Sequence, residues 1–183
     1  MANNTIKAIE TVYNGYRFRS RLEARWAVFF DSLNIPYIYE PEGLNINGTM
    51  YLPDFYLPDS KQFFEVKGIM RDSDMEKINA LISAGYSVVI GMDNGKFIAC
   101  DLWETMDENG NKDEYTLCTD SDSWMIRCKK CGKYYFMGDV GSFKCQCCGL
   151  HDGDHHLRIV MDGYDTALWD VARQARFEYG ETP

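Results

Sequence analysis

The chain lacks any apolar run long enough for a bilayer. Its apolar stretches, such as Ala27 to Phe30 and Val88 to Ile90, fall far below the roughly 20 residues of a membrane helix. No membrane span is expected. Repeats and low-complexity tracts are lacking too. With 45% hydrophobic, 14% aromatic and 26% charged residues, the composition excludes disorder, collagen-like structure and coiled coil. At 183 residues it suits one well-buried domain with a small appendage. Met1 to Lys7 carries neither the apolar core nor the small-residue cleavage site of a secretory signal, so a cytoplasmic location is expected. Basic residues are scarce, 19 Lys and Arg against 28 Asp and Glu. The net charge of −9 argues against a generally adhesive nucleic-acid binder.

That average conceals two basic segments. Residues 1–30 hold five basic side chains against Glu10 and Glu23, and residues 124–150 hold five against Asp139. Residues 101–123 carry eight acids against Lys112 alone, which reads as a solvated linker or face. Each basic patch could meet phosphates, or be a solvated helix face and a charged metal loop.

Apolar residues recur at three- and four-residue intervals from Ser20 to Leu33 (Leu22, Trp26, Phe29, Phe30, Leu33), which predicts an amphipathic helix stopped by Asn34, Ile35 and Pro36. Short extended runs follow at 37–39, 44–47, 51–57 and 62–67, separated by Gly or Pro-Asp-Ser signals, and predict a β-meander. A second helix is expected over about Asp74 to Ala84 with Gly85 as its stop. A buried strand follows from Tyr86 to Met92, then a turn at Asp93-Asn94-Gly95-Lys96 into Phe97 to Cys100. A last helix is expected from about Thr166 to Tyr179, with Leu168, Val171, Ala172 and Ala175 inward and Gly180 ending it. The expected fold is α/β.

A symmetric hairpin centred on Pro58-Asp59-Ser60-Lys61 sets Asp54 directly opposite Glu65, and strand alternation puts Lys67 on the same face. Phe55, Phe64 and Val66 then face the core. Two carboxylates about 5 Å apart repel by roughly 3 kcal/mol at an effective dielectric near 20. A bound divalent cation would reverse the sign. The plainer alternative is a salt-bridged surface hairpin neutralised by Lys67, and Asp59 reads as turn chemistry.

Pro53-Asp54, ten intervening residues, then Glu65-Val66-Lys67 resembles the PD-(D/E)xK nuclease superfamily. The upstream Ser20-Arg21-Leu22-Glu23-Ala24-Arg25-Trp26 is similar to its first motif, and the order of elements over about residues 10–100 follows its core. Small phage-encoded members look most similar. The resemblance implies a restriction-endonuclease-like core and a metal-dependent phosphodiesterase acting on nucleic acid, namely DNA, in a cytoplasm that is the host's if the chain is phage-encoded. It implies Asp54, Glu65 and the Val66 carbonyl as ligands to Mg²⁺ or Mn²⁺, and Lys67 as the group that orients or helps deprotonate the attacking water. Glu23 would join this site as a further catalytic residue, or serve as the acid of a Ser20-x-x-Glu23 capping box. Lys77 resembles an auxiliary position or is simply solvated. A homodimer would be needed for paired-strand cuts by one site per chain.

Cys128-x-x-Cys131-Gly and Cys145-x-x-Cys148-Gly, thirteen residues apart, predict a four-thiolate structural Zn²⁺ site of zinc-ribbon type. Cys147, His151, His155 or His156 could replace a ligand. Tyr134, Tyr135 and Phe136 either stack on nucleic acid or form the ribbon's core. Cys100 and Cys118 read as buried apolar fillers. The expected organisation is a nuclease-like core with acidic connector over 1–123, the ribbon over 124–150, and a C-terminal helix packing back over 151–183. Two further readings stay open. One is a nuclease-fold binding protein that grips nucleic acid or a host or defence protein without cutting, and the other is a zinc-stabilised regulator.

Overall fold

The computed structural model describes residues 8–46, 48–106, 112–118, 123–138, 143–152, 158–162 and 167–177, with the backbone alone for 101–106, 112–118, 152 and 158–162. A hairpin of β1 (Thr11–Tyr13) and β2 (Tyr16–Phe18) opens the chain, turned by Asn14 and Gly15, both at positive φ, as a tight two-residue loop requires. Helix α1 (Arg21–Ser32) follows. Ser20 Oγ accepts from Glu23 N–H at 3.1 Å and starts it. At the other end Asn34, at φ +54, directs its N–H to Asp31 O and that of Ile35 to Phe30 O, a Schellman closure with asparagine in glycine's place.

Strand β3 (Ile38–Tyr39), the small hairpin of β4 (Leu44–Ile46) and β5 (Thr49–Tyr51), then β6 (Phe55–Leu57) and β7 (Gln62–Val66) come next. Strand β7 enters α2 (Asp72–Ser83), which begins two residues earlier than expected because the Asp74 carboxylate accepts from Arg71 N–H. Gly85, at φ +88, closes α2. Strand β8 (Ser87–Gly91) lies parallel to β7, and β9 (Phe97–Met106) and β10 (Lys112–Cys118) complete a six-stranded mixed sheet of order β10-β9-β8-β7-β6-β3. The acidic stretch is therefore largely sheet, with β10 paired antiparallel to β9, rather than a loose connector. Cys100 is not a free filler either. It is disulfide-bonded, and the residue facing it across the ladder is Cys118.

Two cores flank the sheet. On one face Trp26, Phe29 and Phe30 of α1 meet Phe55, Phe64, Val89 and Phe97; on the other, Ile78, Leu81 and Ile82 of α2 meet Val88, Ile90 and Ile46. The ring of Trp26 lies 4.7 Å from Phe64 and 4.3 Å from Trp169, contacts of about 0.5–1.5 kcal/mol beyond burial.

The ribbon runs further than expected. Strands β11 (Ser123–Arg127), β12 (Tyr134–Gly138) and β15 (Arg158–Asp162) form one sheet, β13 (Phe143–Lys144) and β14 (His151–Asp152) another, so part of the segment assigned to the C-terminal helix is strand. That helix is also short. A 3₁₀ turn (Ala167–Trp169) leads into α3 (Asp170–Gln174), and Ala175 is already extended. Trp169 is its buried anchor and Val171, expected inward, is exposed. Gly180 lies outside the described residues.

Candidate functional site

The β6–β7 ladder pairs Phe55 with Phe64 and Leu57 with Gln62, which is the symmetric register read from the turn. One step beyond it, Asp54 N–H donates to Glu65 Oε1 at 3.3 Å and Val66 N–H donates to Asp54 Oδ2 at 2.8 Å. Both carboxylates are buried. Lys67 Nζ donates to Glu65 Oε2 at 3.0 Å and lies 3.7 Å from Asp54 Oδ2. Lys67 is aimed by its own N–H, which donates to Gly91 O on β8 at 2.9 Å. Asp54, Glu65 and Lys67 thus converge around the Val66 backbone at the end of β7.

Four residues that the sequence pattern did not single out complete the surroundings. Arg19 donates to Asp54 Oδ1 at 2.5 Å and to Glu40 at 2.8 Å. Tyr39 OH donates to Glu23 Oε2 at 2.7 Å and accepts from Arg19 N–H. Tyr51, delivered by β5, lies beside Glu65, and its phenol is pushed upward chiefly by burial and then by the Glu65 charge. Glu23 is buried, but its oxygens are taken by Ser20 Oγ, Arg19 N–H and Tyr39. It acts at the helix cap and reaches Asp54 only through Arg19. Lys77 is exposed on α2.

Burial, and next the Asp54 charge, raise the Glu65 carboxyl above its ordinary value against the pull of Lys67. Burial alone would lower the Lys67 ammonium, yet Glu65 and Asp54 outweigh it and hold it above the usual lysine value. Four carboxylates (Glu23, Glu40, Asp54, Glu65) surround two cations (Arg19, Lys67), which leaves a net charge of −2 when all are ionised. One divalent cation would neutralise it. The donors are hard oxygens, as Mg²⁺ and Mn²⁺ prefer, so the residues present fit such an ion at Asp54 and Glu65.

No family model, curated protein or solved structure matches the chain.

The second cluster is built by two knuckles of equal design. Cys128 N–H donates to Lys133 O and Gly132 N–H to Cys128 O; Cys145 N–H donates to Leu150 O and Gly149 N–H to Cys145 O. Gly132 and Gly149 take φ +73 and +70, a conformation that disfavours other side chains. The sulfurs of Cys128, Cys131, Cys145 and Cys148 all lie within 4.8 Å of one another and could hold a metal ion. Burial would raise the Cys145 thiol, but its hydrogen bonds with Tyr135 OH and Cys148 N–H bring it down to about 6, while burial is the main factor pushing Cys131 up to about 12. Cys147 is exposed and outside the cluster. His151 is exposed on β14; His155 and His156 lie outside the described residues. Tyr135 and Phe136 are buried and Tyr134 lies under the Arg127 guanidinium, so these aromatics form core rather than a stacking platform. Among the described residues no helix is long and apolar enough to cross a membrane.

Proposed function

We propose that the chain is a divalent-metal-dependent endonuclease of the PD-(D/E)xK kind that hydrolyses phosphodiester bonds in DNA. What supports this reading above all is the convergence of buried Asp54 and Glu65 with Lys67 on one face of the β6–β7 hairpin. Asp54, Glu65 and the Val66 carbonyl would hold Mg²⁺ or Mn²⁺. Bound there, the ion would supply Lewis acidity and a more acidic water. The chain's own residues do the rest. Lys67, kept as an ammonium by its acid neighbours, suits orienting water and neutralising phosphoryl oxygens better than taking a proton. The Asp54 and Val66 amides fix the orientation of the carboxylates.

The four cysteines would hold one structural Zn²⁺. With Zn–S bonds of about 2.3 Å, a tetrahedron has edges of about 3.8 Å; Cys128–Cys148 and Cys131–Cys145 sulfurs lie 3.8 and 3.5 Å apart. Four thiolates leave no open position, so the ion would hold shape rather than react.

Incubation of plasmid and branched DNA with Mg²⁺ tests the reading. Asp54→Ala is expected to abolish cleavage and Lys67→Ala to slow it by about 10²–10⁴-fold. Equal cleavage by wild type and both variants would mark a contaminating enzyme and remove the proposal. One observation favours a second reading, that of a non-cleaving binder: Arg19 already neutralises Asp54. DNA binding with no cleavage in Mg²⁺ or Mn²⁺ would select it.

A further inference from the structure

We propose that Arg19 is an exchangeable cover on the carboxylate site: a divalent cation takes Asp54 from it, and the freed guanidinium then grips a phosphate of the nucleic acid beside that cation. This rests on the metal and nucleic-acid reading above and adds a substrate-contacting residue to it. The two oxygens of Asp54 are unequal. Oδ2 accepts from Val66 N–H at 2.8 Å and lies 3.7 Å from Lys67 Nζ, so the fold itself holds that oxygen. Oδ1 accepts from Arg19 Nη2. A cation arriving at Asp54 must contest Oδ1 with a guanidinium, and two like charges on one oxygen repel.

Three observations make Arg19 a partner able to leave. Its side chain is 51% exposed against 9% for Asp54, so release gives up little burial. Its backbone stays in place, because its N–H is shared between Glu23 Oε2 at 3.1 Å and Tyr39 OH at 3.0 Å. Its Nε also keeps a second acceptor, Glu40 Oε1 at 2.8 Å. Glu40 is a firm hinge for the exchange. It takes φ +44, a conformation that a non-glycine residue holds only where its surroundings impose it, and its N–H donates to Asp54 O at 2.9 Å. A guanidinium swung about that hinge presents its Nη donors as a fork, which pairs with two phosphate oxygens at once. Arg19 therefore opposes the cation alone and favours cation and phosphate together, and by linkage each of the two raises the affinity for the other by the same factor.

Two titrations of the full chain test this: calorimetry with Mg²⁺ alone, and fluorescence anisotropy of labelled single-stranded and duplex DNA of about 20 nucleotides in Ca²⁺, which takes the same hard oxygen ligands. Arg19→Gln is expected to bind Mg²⁺ about tenfold more tightly than wild type and DNA in Ca²⁺ about tenfold more weakly. The opposite signs separate a cover from a structural brace, whose loss would weaken both. Arg19→Lys, which keeps the charge and loses the fork, is expected to stay near wild type for Mg²⁺ and to bind DNA more weakly. Arg17→Gln removes an exposed arginine on β2 that pairs with Glu10 and is expected to bind Mg²⁺ as wild type. Mg²⁺ affinity that is equal or lower in Arg19→Gln would overturn the proposal, as would DNA affinity that does not fall, or no Mg²⁺ binding by either protein. Opposite shifts in a protein that never cleaves would sink the nuclease reading and leave this inference standing. Asp54-dependent cleavage, with Arg19→Gln matching wild type in both titrations, would do the reverse.

Discussion

A glutamate with 2% of its surface exposed is costly to ionise, and Glu65 sits beside a second buried acid. Its folded value lies above the ordinary one, which is about 4.3 in an unfolded chain. The folded state therefore holds this proton longer. The stability it contributes is present below about pH 4 and is lost as pH rises through the folded value. Lys67 runs on the basic side: raised as well, it contributes stability that is fully present below about pH 10 and lost above its folded value. Metal-free Glu65→Gln is accordingly expected to gain on wild type as pH rises from about 4, since the penalties on the charge exceed the help from Lys67. Mg²⁺ is expected to raise the wild-type Tm and leave that of Glu65→Gln unmoved. Parallel melting curves for the two proteins at every pH, with and without Mg²⁺, would show that no cation favours this pair.

At the scale of elements, the site depends on how closely β8 approaches its neighbours. A Cβ on Gly91 would come 2.3 Å from Phe64 Cε1 and 2.6 Å from Trp26 Cε2, both rigid and fully buried. Gly91 O is also the acceptor that seats Lys67. Gly91→Ala is expected to cost about 1–3 kcal/mol by overpacking and to displace Lys67, read as a lower urea midpoint together with slower cleavage; an unchanged midpoint would mean that the strand yields freely. Such close packing has no sequence signature, since a glycine inside a strand reads only as a bulge or a close approach. What was legible were local chemistries. Ser20, Asn34 and Gly85 mark helix ends through their own hydrogen bonds, and the turn at 58–61 fixed which acids face each other. The acidic stretch, open between linker and face, is strand over 101–106 and 112–118 because β9 and β10 pair with each other. Trp169 escaped notice because its burial comes from partners far away in sequence, the rings of Trp26 and Phe29 and Gly95, whose added Cβ would meet its ring at 2.3 Å. Asn14-Gly15 was a readable hairpin signal that helical periodicity overshadowed.

At the scale of the whole molecule, the ribbon is no appendage. Phe136 of β12 packs 5.5 Å from Phe64 and 5.0 Å from Phe97, and the Gln62 side chain bonds Phe136 N–H and O at 3.0 and 2.6 Å as a strand would. Tyr135 OH links the Cys145 sulfur to Asp59 O in the β6–β7 turn, and Lys133 pairs with Asp59 at 2.8 Å. Asp59 is thereby the fastening point between the cysteine cluster and the hairpin that carries Asp54 and Glu65. A metal in the cluster would stabilise both parts, because binding that requires the folded ligands is folding free energy. Cys128→Ser, or a strong zinc chelator, is expected to lower the Tm of the whole chain in one transition and to remove the Mg²⁺-dependent rise along with it. Two resolved transitions, the second keeping that rise, would mean that the hairpin holds its register without the ribbon. The weld predicts otherwise, since freeing Tyr135 from the cluster would leave Gln62 and Asp59, at the two ends of one short turn, without their partners on β12.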